Sequence, residues 1–423
     1  MSDNAYLKVK DYRLKNLDLL LDSGDVVSLL DMYAEVNIYQ DLFGSPLSCH
    51  ITISDAVDLY GKLPIKNTEK LKIVFSSPGD QEITLNLSLY SREKINLSTT
   101  GKTSQYVLKF VSPEVVFNAT TKFSKAYTGK ISDMVGAIWS ELFVGSKPIM
   151  IEPTEGESTL VLPVNNPLSH IRDLSKKAKR EANPDEVNYF FFQDFKNFNF
   201  ASLGAMFELP VKTNFIYGDP SAMGPLSTLS SKSVVKDVYL TGKENILHEI
   251  KKGIYNGFVS AYDATTKSFG GLRYEYKEAF DKIHHCNQHP LTTDPVLETL
   301  GPLAHYSTGF FGGGFSPDLT MKRKSQLGSF LNKRIKFVVA GNSSINVGDK
   351  IHIDFTQQTM TKTDDDGMNK YRSMDYIVSS VKHTINKAFG YTMTIEACSD
   401  SYAEPLPESS KFEVENQQGR LAQ

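Results

Sequence analysis

The stretch from Ala34 to the turn Ser76-Ser77-Pro78-Gly79 constrains this chain more than any other, because it packs three short alternating runs between turn residues. In the middle run His50, Thr52 and Ser54 fall on one side and Ile51 and Ile53 on the other. That period of two is what a strand with one buried face requires. Ser54-Asp55 then predicts a short helical piece over Ala56–Tyr60, since a side-chain oxygen accepts from the first free backbone N–H groups of a helix. Gly61 can take the left-handed conformation that ends it. The next strand, Leu71–Phe75, stops at the Ser-Ser-Pro-Gly turn. Together these features describe a compact β-barrel half with no active site in it.

The remainder of residues 1–112 also reads as almost all β, with alternation through Ile83, Leu85, Leu87 and Leu89 and a closing strand at Tyr106–Val111. At Ser112-Pro113-Glu114 the texture changes to a capped helix start. Helices are predicted around 113–122, 131–143 and 167–181. Met134, Ile138 and Leu142 form the apolar stripe of the second, and Leu168, Ile171 and Leu174 face inward in the third. The run Lys176, Lys177, Lys179 and Arg180 near the end of the third reads as a solvated helix terminus, where cations complement the dipole. Val187–Asp194 is predicted as a strand carrying four consecutive aromatics. Strand patterning returns at NFIYG and VVKDVYL, at Arg334–Ala340, at Lys350–Phe355 and in a hairpin over 376–398. The region 241–330 is irregular, with a possible helix at Glu244–Lys252 and extended pieces at Phe258–Asp263 and Leu272–Tyr276. From Ser401 onward no core-forming pattern remains.

At 423 residues the chain has room for several compact units. A formal net charge of −3 argues against an electrostatic nucleic-acid binder. The 25 Phe and 20 Tyr against one Trp suit sheet surfaces and buried interfaces. Three cysteines, Cys49, Cys286 and Cys398, leave at least one unpaired, which fits a reducing compartment better than a disulfide framework. No apolar run reaches the roughly 18–20 residues that span a bilayer, and the first residues carry no signal-peptide core.

Three places invite a chemical reading. His284-His285-Cys286-Asn287-Gln288-His289 concentrates metal-ligand types. Neighbouring histidines rarely converge on one tetrahedral ion, so a polar loop or interface segment is expected there instead. Asp364-Asp365-Asp366-Gly367 lacks the alternating ligands and final Glu of a calcium loop and reads as a hairpin tip. Gly309–Phe315 lacks the Gly-Lys-Ser/Thr ending of a phosphate loop. HExxH and GxSxG are absent. The expectation is no catalytic, cofactor-binding or metal-binding residue.

The segments AEVNIYQDLFGSPLSCHITISDAVDLYGKLPI, PLSHIRDLSKKAKREA followed by YFFFQD, and VGDKIHIDF with DYIVSSVKHTINKAFGYTMTIEA occur in an order that resembles the central baseplate hub of contractile-tailed, T-even-like bacteriophages. The stretch 220–330 matches least. The resemblance implies an α+β, predominantly β fold, with two tail-tube-like antiparallel β-barrels and peripheral α+β domains. On that reading 1–112 is the first barrel and 113–205 a peripheral α+β domain. Residues 206–240 and 331–400 make the second barrel, 241–330 an inserted peripheral domain, and 401–423 a flexible tail. The implied function is a homotrimeric, pseudo-sixfold ring joining tail tube to cell-puncturing spike. Implied partners are the spike, the proximal tube protein, and wedge and tape-measure proteins, in a virion baseplate assembled in the host cytoplasm. The homologous hub of a bacterial contractile injection system is a close variant. A baseplate cell-wall hydrolase and a host-glycan-binding β-protein are the competing classes.

Overall fold

A computed structural model describes residues 12–44, 46–56, 66, 68–97, 104–218, 233–242, 245–263, 267–292, 303–308, 317–356, 369 and 371–405. The first part supplies β1 (Arg13–Leu20), β2 (Val26–Ser28), β3 (Tyr33–Asp41), β4 (Ser48–Asp55), β5 (Lys70–Ser76), β6 (Ile83–Leu97) and β7 (Ser104–Val111). Next come α1 (Pro113–Thr120), β8 (Phe123–Lys130), α2 (Ile131–Leu142), β9 (Ile149–Ile151), β10 (Glu157–Asn165) and α3 (Pro167–Ser175). They are followed by β11 (Tyr189–Gln193), β12 (Phe198–Ser202), α4 (Leu203–Glu208), β13 (Thr213–Tyr217) and β14 (Asp237–Leu240). The chain continues through α5 (Ile246–Lys252), β15 (Asn256–Asp263), β16 (Ser268–Glu275), α6 (Tyr276–Phe280), β17 (Leu303–Thr308) and α7 (Pro317–Phe330). It ends in β18 (Lys333–Ala340), β19 (Lys350–Phe355), β20 (Met374–Asn386) and β21 (Gly390–Ser399). The class is α+β and mainly β.

The alternating strands do what their period predicts. Ile51, Ile53, Ile351 and Ile353 are all fully buried, while His50, Thr52 and Ser54 lie on the half-exposed face. The two halves do not stand apart as separate sheets. Among the described residues the strands join in one 13-stranded sheet, in the order β14-β18-β21-β20-β3-β4-β7-β6-β5-β1-β2, with β19 joining β13 to β20, and Val234, just before β14, bridges back to Ile216 of β13. The joint is β20, which changes partner along its length. Met374–Ile377 pairs with β19, whereas Ser380–Asn386 pairs antiparallel with Glu35–Asp41 of β3. A register shift between Val378 and Ser380 marks the change, and a bulge is a standard way to re-aim a strand. One apolar cluster runs through both halves, from Leu17 and Ile51 to Phe337 and Ile395.

The four aromatics of β11 obey a different rule. Tyr189, Phe190, Phe191 and Phe192 are all buried, because the three-stranded sheet β11-β12-β9 is covered on both faces. Tyr189 and Phe191 pack with Trp139, Ile171 and Phe198 on one side. Phe190 and Phe192 pack with Met206, Phe207 and Phe330 on the other. A strand buried on both sides reads as a continuous apolar run.

Several sequence expectations need correcting. The third helix stops at Ser175 instead of running to 181, so Lys176 lies at its exposed end while Arg180 lies beyond it and is buried. Between the helices of the 113–205 stretch, β8 and β10 pair into a two-stranded ribbon that the sequence pattern did not announce. The irregular insert contains a 14-residue helix, α7, and a three-stranded sheet, β16-β15-β17. The chain stays ordered past the last strand, where Ser401 is fully buried and Tyr402 bridges to His289. The helix expected at Ala56–Tyr60, the Asp364–Asp366 tip and the Gly309–Phe315 stretch fall, apart from Ala56, outside the described residues.

Candidate functional site

The His284–His289 run is where sequence concentrates ligand-type side chains, and the fold uses it to fasten distant segments together. His284 and His285 turn to different partners. His284 sets Nδ1 2.6 Å from Glu186 Oε1 and Nε2 3.0 Å from Glu208 Oε1. His285 sets Nδ1 2.6 Å from Asp400 Oδ2 and Nε2 2.9 Å from the Phe280 carbonyl. Its ring stacks on Phe280 at 3.6 Å. The Cys286 N–H donates to Asp400 Oδ1 at 3.0 Å. Asn287 donates through Nδ2 to the carbonyls of Asp375 and Ser401 and to Ser399 Oγ, and its Oδ1 accepts from the Asp375 N–H. These bonds tie the segment after α6 to the ends of β20 and β21. Buried polar groups are tolerated when they are bonded in this way.

Beside this fastening lies a charged centre that no local pattern announced. Arg180 is almost completely buried and reaches three carboxylates, with Nε 2.7 Å from Glu152, Nη1 2.8 Å from Glu186 and Nη2 2.6 Å from Glu208. The bond to Glu208, with those to Glu186 and Glu152, raises the guanidinium above its ordinary range despite burial. The bond from Arg180 in turn lowers the Glu208 carboxyl. A planar fork with several donors is what lets one side chain serve three acceptors. Gly204, at the start of α4, is part of the fit. A Cβ there would sit 1.8 Å from Glu186 Oε2, so a bulkier residue would push the carboxylate off Arg180. Residues 152, 180, 186 and 208 come from separate loops and a helix end, which is why reading along the chain misses them.

Two histidines in the second half of the sheet sit in opposite environments. His352 is clamped between carboxylates, Nε2 3.1 Å from Asp354 and Nδ1 2.6 Å from Asp375. Bonds to Asp354 and then Asp375 push its pKa up to about 9. Asp375 is held below the usual carboxylate range by His352 and Lys350, although burial alone would raise it. His383 is fully buried, its Nδ1 2.8 Å from the Tyr391 hydroxyl, and burial pushes its pKa down to about 3.

These groups can hold parts of the fold in register. Most of their polar atoms are engaged with one another and with backbone; the buried Nε2 of His383 has no partner among the described residues. All three cysteines are buried, and burial raises their thiols, Cys398 to about 11, so they are poor nucleophiles. Among the described residues, no group of three or more His, Cys, Asp and Glu is placed to hold a metal ion, and no helix is long and apolar enough to cross a membrane. Among the described residues two open grooves stand out. One, of about 650 Å³, carries mixed charge, including Asp194, Lys196, Lys212 and Asp349. The other, of about 500 Å³, is lined among the described residues by Lys333, Arg334 and Arg372 with Tyr371, Tyr376 and Tyr402.

No protein-family model and no curated relative matches the chain. Solved structures do. A tail protein from Neisseria meningitidis MC58 superimposes with a TM-score of 0.57 at 10% identity, covering 92% of this chain and 97% of that one. The 43 kDa tail protein of prophage MuSo2 from Shewanella oneidensis gives a TM-score of 0.56 at 9% identity, covering 91% and 98%. At such identities the likeness is one of fold, and it runs nearly end to end in both chains: this protein has the fold of phage tail proteins.

Proposed function

We propose that this chain is a structural, non-enzymatic protein of a contractile phage tail, the baseplate hub that joins the tail tube to the central spike as a homotrimeric, pseudo-sixfold ring. The observation that carries this reading is the end-to-end likeness to two tail proteins. The sheet supports the symmetry argument. Its seven N-terminal strands and six later ones meet at the β3–β20 pairing, so each copy would offer two tube-like units, and three copies six. A ring of that kind can face a sixfold tube on one side and a threefold spike on the other. Residues 1–112 would form one tube-like unit, and 206–240 with 331–400 the other. Residues 113–205 and 241–330 would lie at the periphery, with 401–423 as the tail. The partners on this reading are the spike, the proximal tube protein, and wedge and tape-measure proteins, in the virion tail.

The test is sedimentation analysis of the full chain with and without its spike protein. A trimer, alone or in the complex, is the expected result. A monomer at high concentration even with the spike present overturns the reading. Zymography on the purified chain should show no cell-wall clearing, and reproducible clearing would move the protein to the hydrolase class.

A further inference from the structure

Helix α7 is seated largely by polar groups. Lys322, Arg323, Gln326 and Ser329 recur at the three- and four-residue spacings that bring side chains to one helix face. That face meets the segment from Asp185 to Asn188, which leads into β11. Lys322 Nζ pairs with Asp185 at 2.7 Å, and Arg323 Nη1 donates to the Val187 carbonyl at 3.3 Å. Gln326 Nε2 donates to the Asp185 carbonyl, while its Oε1 accepts from the Val187 N–H and from Asn188 Nδ2. The ladder breaks at its last rung. Asn188 is 1% exposed and Ser329 3%, yet Asn188 Oδ1 and Ser329 Oγ have no protein partner among the described residues. Both residues line one narrow cavity of about 20 Å³, together with Glu186, Gly204, Phe207 and His284.

A buried polar atom left without a hydrogen bond carries its full desolvation cost. A serine hydroxyl in a helix can satisfy itself on the carbonyl one turn back, here that of Ser325, but a carboxamide oxygen only accepts and needs a donor from outside. A cavity holds a water when it offers about 10–15 Å³ and two to four polar partners. This one meets both conditions, and it has no room for a larger ligand. We propose that the cavity is the binding site of one ordered water, which donates to Asn188 Oδ1 and shares a second hydrogen bond with Ser329 Oγ. The water supplies the missing rung between α7 and β11. It thereby fastens the 241–330 stretch to the 113–205 stretch, beside the ion pairs of Arg180 and His284 with Glu186.

A crystal structure of the full chain, at a resolution that shows ordered water, tests it. The expected result is one water peak within about 3.2 Å of both Asn188 Oδ1 and Ser329 Oγ. A dry cavity overturns the proposal, as does a Ser329 hydroxyl turned onto the Ser325 carbonyl with no water on Asn188. Oxygen-17 relaxation dispersion of water, which counts long-lived internal waters, gives a second measurement in solution. Ser329→Val puts a methyl group in place of the hydroxyl and a second one in the cavity, so the count should fall by one relative to the wild type. An unchanged count in a variant shown to be folded by circular dichroism also overturns the proposal. If that variant does not fold, the wild-type crystal structure decides.

Discussion

The sheet core and the junction around Arg180 are both buried, and they are held by different physics. The core is dry. Ile51, Phe110, Phe337, Ile353 and Ile395 are fully buried in one apolar cluster, and its cohesion is apolar area removed from water. The junction is polar: Arg180, three glutamates, His284, His285, Asn287 and Asp400 are knit by short bonds. Burial of charge is costly unless each group is matched. The core therefore tolerates approximate solutions, while the junction depends on each partner being present.

Substitution at Arg180 should expose that difference most sharply. Arg180→Met leaves Glu152, Glu186 and Glu208 facing one another, and loss of one partner from a buried ionic set costs about 3–5 kcal/mol. Phe337→Ala in the core should cost a similar ~3–5 kcal/mol. Denaturant unfolding at several pH values separates them. The Phe337→Ala deficit should be nearly constant with pH. The Arg180→Met deficit should shrink as pH falls, because the Glu208 carboxyl is held low only while Arg180 is there, and protonation removes the repulsion. Equal pH dependence in the two variants would show that the junction is no more electrostatic than the core.

A smaller effect is expected at Gly204. The Cβ of Gly204→Ala collides with Glu186 Oε2, and overpacking of this kind costs about 1–3 kcal/mol. Glu186→Gln cannot relieve a steric clash, so the double variant should be no more stable than Gly204→Ala alone. Recovery in that double variant would mean that charge, and not space, makes glycine necessary.

The smallest predicted effect is a change in the shape of the pH profile. The His352 pKa is raised to about 9 from an ordinary 6.5, so its contribution is fully present below pH 6.5 and is lost between 6.5 and about 9. The His383 pKa is lowered to about 3, so the neutral ring is favoured and stability falls as pH drops from 6.5 toward 3. His352→Gln should flatten the alkaline limb of a plot of unfolding free energy against pH, and His383→Gln the acid limb. A profile unchanged by either substitution would show that other groups set it.

Local pattern made the sheet legible. A period of two decides which face of β4 or β19 is buried wherever one face meets a core, so Ile51 and Ile353 could be placed from spacing alone. The same rule was silent on how the strands join, because whether the two halves share one sheet depends on which edges pair, and β3 with β20 is a pairing across more than 300 residues of sequence. α7 was missed because its residues, PDLTMKRKSQLGSF, carry no clean apolar stripe; it is fixed by packing Leu319 and Met321 against neighbours rather than by propensity.

Sequence by itself determined the mainly β class, the inward isoleucines of β4 and β19 and a strand at the β11 aromatics, since each follows from side-chain periodicity or from a continuous aromatic run. Only the tertiary structure decided that Arg180 leaves its apparent helix end to neutralise three glutamates, and that His284 to Asn287 fasten the segment after α6 to the ends of β20 and β21. Charge pairing acts between side chains brought together from any distance along the chain, so no spacing rule records it.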